Sequence, residues 1–329
     1  MKLVRIGVVG VFAAATVLSA CTPQQGATES SESYPDKPIE LVVPFDPGGG
    51  TDLTARVIAK AMSDELGVPV NVVNKPGAET IVGVDYVRKS AADGYTLLAD
   101  GAASSSILSF GENVPFEWDE RTFVGRVTSG PHAIAVDKDS PYKTLDDLLE
   151  ALSKDPGSLH TAYSGGTTTS DLTNLSVLEE AGVSITDVKT VNYSSAGETM
   201  EGVAGGDIDY GVGGASAAFA LASSGDIRVL AQTGSEPLEQ LPDAPTTDEA
   251  GHPDINLAYW VGISGPVDLP EDVQNRLADV ISKIVEDPAV VDSLANVGVV
   301  ADPITLGDFS DYVDSEVETF ADLRKRVGN

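Results

Sequence analysis

The stretch Ile39-Glu40-Leu41-Val42-Val43-Pro44-Phe45-Asp46-Pro47-Gly48-Gly49-Gly50-Thr51-Asp52-Leu53 decides the fold. Ile39 to Phe45 reads as a buried strand, because its apolar residues nearly run together instead of alternating. Three glycines then turn the chain. After Thr51, two apolar series recur at helical spacing, Leu53, Val57 and Ala61 beside Ile58, Met62 and Leu66, and Gly67 with Pro69 stops that helix. Strand, glycine loop and helix in that order form the first unit of a doubly wound α/β sheet.

The rhythm continues outward. Val70 to Val73 reads as a strand, Ile81 to Ser90 as a helix and Thr96 to Ala99 as a strand after the Asp93-Gly94 turn. Strands are expected again at 133–136, 159–163, 188–191, 208–211 and 229–232, interleaved with helices at 144–152, 171–181 and 199–204. This predicts a second lobe. A strand at 257–263, an amphipathic helix at 271–285 and closing helices at 306–326 complete the chain.

The 329 residues are 42% hydrophobic and 22% charged, enough for about two domains with real cores. Lys and Arg number 20 against 51 Asp and Glu, a net charge of −31 that argues against nucleic acid and anionic membrane surfaces as partners. One cysteine and three scattered histidines (His132, His160, His252) leave no disulfide framework and no Cys/His metal site. No cofactor is implied.

At the N-terminus, Lys2 and Arg5 precede an apolar run from Ile6 to Leu18 and then Leu18-Ser19-Ala20-Cys21. A basic region, an apolar region and small residues before a cut site constitute an export signal, and the run is short of the roughly 20 residues that span a bilayer. The single cysteine after Leu-Ser-Ala resembles a bacterial lipobox. Residues 1–20 are therefore read as a lipoprotein signal peptide, Cys21 as the lipidated mature N-terminus and 21–33 as a flexible tether. Cleavage would leave 18 basic against 51 acidic residues, or −33.

Catalytic motifs are scarce. There is no G-x-S-x-G and no H-E-x-x-H, and the histidines read as surface or packing residues. Gly/Ser/Thr-rich loops recur instead where strands end, the position at which open α/β sheets bind ligands. The loop at Phe45 to Asp52 lacks the lysine of a phosphate-binding loop and the full G-x-G-x-x-G spacing, but it joins a strand to a helix N-terminus, where free amides carry about half a positive charge. Tyr163 to Asp171, with Ser164, Thr167 and Thr168, is built alike. Asp100 to Ser106 (Ser104), Tyr193 to Ser195 and Gly211 to Ser216 (Gly214) also follow strands. Such loops, almost free of Lys and Arg, suit a hydrogen-bonding pocket for an anionic ligand better than an enzyme.

Four motifs, in order, resemble the substrate-binding proteins of tripartite tricarboxylate transporters. They are Tyr34-Pro35-x-Lys37-Pro38, the Val43 to Asp52 stretch, Asn74-x-Pro76-Gly77-Ala78 and Asp93-Gly94-Tyr95-Thr96-Leu97-Leu98; Leu241-Pro242-Asp243-x-Pro245-Thr246-x-x-Glu249-Ala250-Gly251 adds a fifth. The resemblance covers Tyr34 to the end. It implies a type II periplasmic-binding-protein fold, two doubly wound α/β lobes with a ligand cleft between them, lobe 1 being 34–130 with 255–329 and lobe 2 being 131–254. It also implies a small carboxylate ligand of the di- or tricarboxylate class, delivered by a monomeric, lipid-anchored receptor to a permease of two membrane subunits. Phe45, Gly48, Gly49, Gly50, Thr51 and Asp52 fall in the family's first-lobe loop, and Ser164, Thr167 and Thr168 in its second-lobe loop. Ser104, Tyr193 and Gly214 complete the candidate ligand-binding set.

The chain departs from the family pattern at Asp46, at Glu79 and Thr80 where glycines are common, at Asp171 near a usual histidine, and at Ser194 in place of a lysine. Each change makes the expected cleft more negative, which would favour a less anionic, zwitterionic or cation-chelated acid. Two rivals stand beside the receptor reading: a carboxylate sensor for a membrane signalling partner, and an exported hydrolase using a nucleophile such as Ser164. The hinge is expected near Val127 to Pro131 and Asp254 to Trp260.

Overall fold

Residues 34–111 and 114–328 are described by a computed structural model. The leader at 1–20, the lipidation at Cys21 and the tether at 21–33 lie outside the described residues.

The opening apolar run forms β1 (Ile39–Val43), in which Ile39, Leu41, Val42 and Val43 are all fully buried because helices cover both faces of the sheet. It leads into α1 (Gly50–Leu66), which buries Ala55, Ile58, Met62 and Leu66 and ends at Gly67 in the left-handed conformation. Each fully buried Ile or Met contributes roughly 1.5–3 kcal/mol. Next come β2 (Val70–Asn74), α2 (Ile81–Arg88) and β3 (Thr96–Asp100), with β2 and β3 both parallel to β1.

The chain then makes a ten-residue strand, β4 (Arg121–Gly130), and after Pro131 alone continues as β5 (His132–Asp137) in a different sheet. The second sheet is completed by α3 (Leu145–Lys154), β6 (His160–Ala162), α4 (Thr169–Glu180), β7 (Lys189–Val191), α5 (Ala196–Gly205), β8 (Tyr210–Gly214), α6 (Ala215–Ser224) and β9 (Ile227–Gln232). Residues 233–258 carry the chain back to β10 (Tyr259–Pro266), followed by α7 (Glu271–Ile284), α8 (Pro288–Asn296), β11 (Val300–Thr305) and α9 (Gly307–Leu323). The strand orders are β11-β4-β10-β3-β1-β2 and β7-β6-β8-β5-β9.

Several features depart from the sequence expectation, helices α6 and α8 among them. Strands β4 and β11 were not anticipated, and the sheets are mixed: β10 runs antiparallel to β3 and β4, β11 to β4, and β5 to β8 and β9. Strand β4 hides from a hydropathy reading because it buries polar groups. Arg121 meets Asp100 at 3.1 Å, and Arg126 donates to Asp302 at 2.6 Å.

At the crossing, Tyr259 of β10 pairs with Gly130 of β4, and a Cβ on Gly130 would lie 2.1 Å from the Tyr259 ring, so only glycine fits there. The C-terminal region serves both sheets. Strands β10 and β11 belong to the first, whereas Phe309, Val313, Phe320 and Leu323 of α9 share a core with Leu145 and Leu148 of α3 and Leu172 and Leu175 of α4.

Candidate functional site

The loop after β1 is organised by Asp52, the third residue of α1. Gly48, at φ +92°, turns its amide onto Asp52 Oδ2 at 2.9 Å, and Arg56 and Asn74 Nδ2 donate to the same carboxylate. Burial pushes the Asp52 carboxyl up, but these donors outweigh it and hold it below the usual carboxylate range. The loop after β6 repeats the device. Asp171, the third residue of α4, accepts from the amides of Ser164 (3.0 Å), Gly166 (3.0 Å) and Thr167 (3.2 Å) and from the Ser164 hydroxyl (2.6 Å).

Each aspartate gathers its own loop, and apart from the Asp171 amide, which donates to the Thr168 hydroxyl at 3.1 Å, the amides of the first three residues of α1 and α4 have no acceptor among the described residues. The first residues of an α-helix have no intrahelical acceptor, and their dipoles sum to about half a positive charge. Four helix starts reach one cavity of about 1190 Å³: Gly49 to Thr51 at α1, Thr168 to Ser170 at α4, Ser195 to Gly197 at α5, and Gly214 with Ser216 and Ala217 at α6. Apolar walls come from Leu53, Ile81, Ile107, Leu108, Phe110 and Phe219, with Tyr259 and Trp260 rising from the crossing strand.

Tyr259 is buried against the Gly130 backbone, which pushes its hydroxyl up to about 12 and keeps it a neutral donor. His132 lies edge-on to it, with Nδ1 3.1 Å from the Leu257 carbonyl and Nε2 3.2 Å from the Thr169 hydroxyl. Burial pulls this histidine down to about 4, so it lines the cavity uncharged at neutral pH. Among the described lining residues, Glu79 is the one acid and Arg324 the one permanent cation. Glu79 stands in a run of three non-glycine residues with positive φ, Ala78, Glu79 and Thr80.

The cavity wall includes Phe45, Gly48, Gly49, Gly50, Thr51, Thr167, Thr168 and Gly214 from the expected set. The other four stand behind it. Asp52 and Ser164 are engaged within their loops, as above. Ser104 is fully buried and donates to Asp100 at 2.6 Å, next to Arg121. Tyr193 lies over Gly202, where a Cβ would come 2.4 Å from its hydroxyl.

Of the three acids expected to make the cleft negative, only Glu79 reaches the wall. Asp46 is exposed away from it, and Asp171 is committed to its loop. The Ser164 hydroxyl points at the Asp171 carboxylate and not at a base of the kind a hydrolase needs. Sequence reasoning missed Tyr259 and Arg324, which come from distant chain and carry no local motif. It also underrated Ser195 and Ser216, which lay in stretches already singled out. No group of three or more potential metal ligands occurs among the described residues, and no described helix is long and apolar enough to cross a membrane.

Two mixed α/β sheets joined by crossing strands, with helix N-termini from both around a common cavity, are the architecture of periplasmic binding proteins. Residues 54–327 match the model of the tripartite tricarboxylate transporter family receptor, and the chain belongs to that family of binding receptors. It is 28% identical over 333 residues to protein BugT of Bordetella pertussis, covering 100% of this chain and 99% of that one. Among solved structures, MatC of Rhodopseudomonas palustris with bound malate superposes with a TM-score of 0.71 at 24% identity, covering 88% of this chain and 99% of that one. A second R. palustris protein, with adipate, gives 0.76 at 24% identity, covering 89% and 98%.

Proposed function

We propose that this protein is an extracytoplasmic receptor, tethered to the membrane through lipidated Cys21, that clamps a small di- or tricarboxylate between its two sheets and hands it to the two membrane subunits of its transporter. The observation that carries the reading is the meeting of four helix N-termini in one cavity whose polar groups are mostly amides and hydroxyls, with Arg324 the one permanent cation among the described lining residues. A carboxylate held there receives charge-assisted hydrogen bonds without an ammonium or guanidinium having to be desolvated for each one. Malate and adipate in the structural relatives belong to the same chemical class.

Closure would be a hinge motion at the β4–β5 and 233–258 crossings, with residues 34–130 and 255–305 moving against 131–254 and α9, whose buried face packs on α3 and α4, spanning both. The 12 residues expected from sequence to hold the ligand divide into two roles. Phe45, Gly48 to Thr51, Thr167, Thr168 and Gly214 face it, and Asp52, Ser164, Ser104 and Tyr193 support the loops that do.

Thermal melting against mono-, di- and tricarboxylates, amino acids and neutral solutes tests this. A ligand at 100 times its Kd stabilises by about 2.7 kcal/mol, a readable shift. A shift with a simple di- or tricarboxylate is the expected result, and shifts confined to neutral solutes would overturn the reading.

A further inference from the structure

The C-terminal turn Arg324–Gly328 brings three basic residues together, and two of them are neutralised. Lys325 pairs with Asp322 at 3.2 Å, and Arg326 pairs with Glu179. Arg324 does not follow them. Its guanidinium carbon stands 5.3 Å from the centre of the Phe110 ring, and Nη1 reaches the Gly166 carbonyl at only 3.4 Å.

In a chain with 51 acidic residues this is unusual. Of the other described arginines, Arg56, Arg88, Arg121, Arg126, Arg276 and Arg326 each have a carboxylate partner within 4.0 Å, and Arg228 donates to backbone carbonyls at 2.8 and 3.1 Å. Among the described arginines Arg324 alone has neither a carboxylate within 4.0 Å nor a backbone acceptor closer than 3.4 Å, and it stands on the wall of the cavity. Phe110 and Thr167, which also line that wall, belong to the two loops that Arg324 touches or adjoins, one after each sheet's strands.

We propose that Arg324 is a specificity-determining residue that binds a second anionic group of the ligand, so that the receptor selects di-acids over mono-acids of the same length. The inference rests on the carboxylate reading above and deepens it. Helix N-termini hold one carboxylate with partial charges. A second carboxylate on the same ligand needs its own donors, and a guanidinium beside Phe110 with no carboxylate partner among the described residues can supply a bidentate pair. The cation–π contact with Phe110, at 5.3 Å, restrains the guanidinium on the wall, so part of the ordering cost is met before the ligand arrives. Glu79, the one acid among the described lining residues, forms no ion pair with Arg324.

The test compares matched ligands on the full-length chain by isothermal titration calorimetry, adipate against hexanoate and succinate against butyrate, for the wild type, Arg324→Gln and Arg324→Lys. The expected result is a preference for the di-acid in the wild type. Arg324→Gln should lose about 10- to 100-fold in di-acid affinity, at least ten-fold more than its loss for the matched mono-acid. Arg324→Lys should recover part of that difference. Equal losses for both members of a pair, with no recovery by lysine, would mean that Arg324 only braces the loops and would overturn the proposal. Wild-type protein that binds neither member of either pair, nor citrate as a tricarboxylate, would overturn the carboxylate reading itself, an outcome distinct from the first.

Discussion

Two buried titratable side chains beside the cavity oppose one another. Glu316 of α9 accepts from Trp260 Nε1 at 3.0 Å and from the Ser106 and Tyr312 hydroxyls, yet burial pushes its carboxyl up to about 7. Between the ordinary glutamate value of about 4.5 and 7, the folded chain holds a proton there that the unfolded chain has released, so stability falls as pH rises through that window. His132 does the reverse. Burial pulls it down to about 4, the unfolded chain binds the extra proton between 4 and about 6.5, and stability rises with pH across that range. At about 1.4 kcal/mol per pH unit, each group accounts for up to roughly 3 kcal/mol, and the two largely cancel between pH 4.5 and 6.5. Glu316→Gln should expose the histidine arm. Urea midpoints at pH 4.5, 5.5 and 6.5 are expected to rise for the variant while the wild type changes less, and parallel profiles would contradict the assignment.

The strand-to-helix elements ending in α1 and α4 each depend on the aspartate at the third helical position, Asp52 and Asp171. Asp171→Asn keeps the volume but removes the charge that draws together three amides and a hydroxyl, so it is expected to cost about 1–3 kcal/mol, lower Tm by several degrees and weaken carboxylate binding. Asp46→Asn, on an exposed side chain of the companion loop, should stay within about 0.5 kcal/mol and leave binding intact. Melting and titration of the pair would show the contrast, and equal effects would refute it. These elements are also where the sequence was most legible. The apolar run at Ile39, the glycines at 48–50 and the periodic helix after Thr51 are local signals, and they place the loop and five of the expected wall residues, Phe45 and Gly48 to Thr51. Strand β4 was not legible, because Arg121 and Arg126 break its apolar pattern and find partners 21 and 176 residues away in the chain. The direction in which Asp52 and Asp171 point was hidden for a related reason. An acid in a glycine loop reads as charge on the cleft, and only the folded loop reveals that its own amides surround it.

Across the whole molecule, a net charge of −31 coexists with a site built for anions. At physiological salt the Debye length is about 8 Å, so distant carboxylates are largely screened, whereas the amides of four helix starts act at contact. Both sheets contribute to that convergence: α1 follows a strand of the first, and α4, α5 and α6 follow strands of the second. The cavity therefore depends on the two crossings, where Pro131 and the Gly130–Tyr259 contact set one sheet against the other. The most direct measurement is a titration of adipate into uniformly ¹⁵N-labelled protein, followed through the backbone amide resonances. The account predicts that the largest shifts fall on Gly49, Gly50 and Thr51, on Thr169 and Ser170, and on Ala196, Gly197 and Ser216, in both lobes at the same ligand ratio. Shifts confined to one lobe, or centred away from these helix starts, would contradict it.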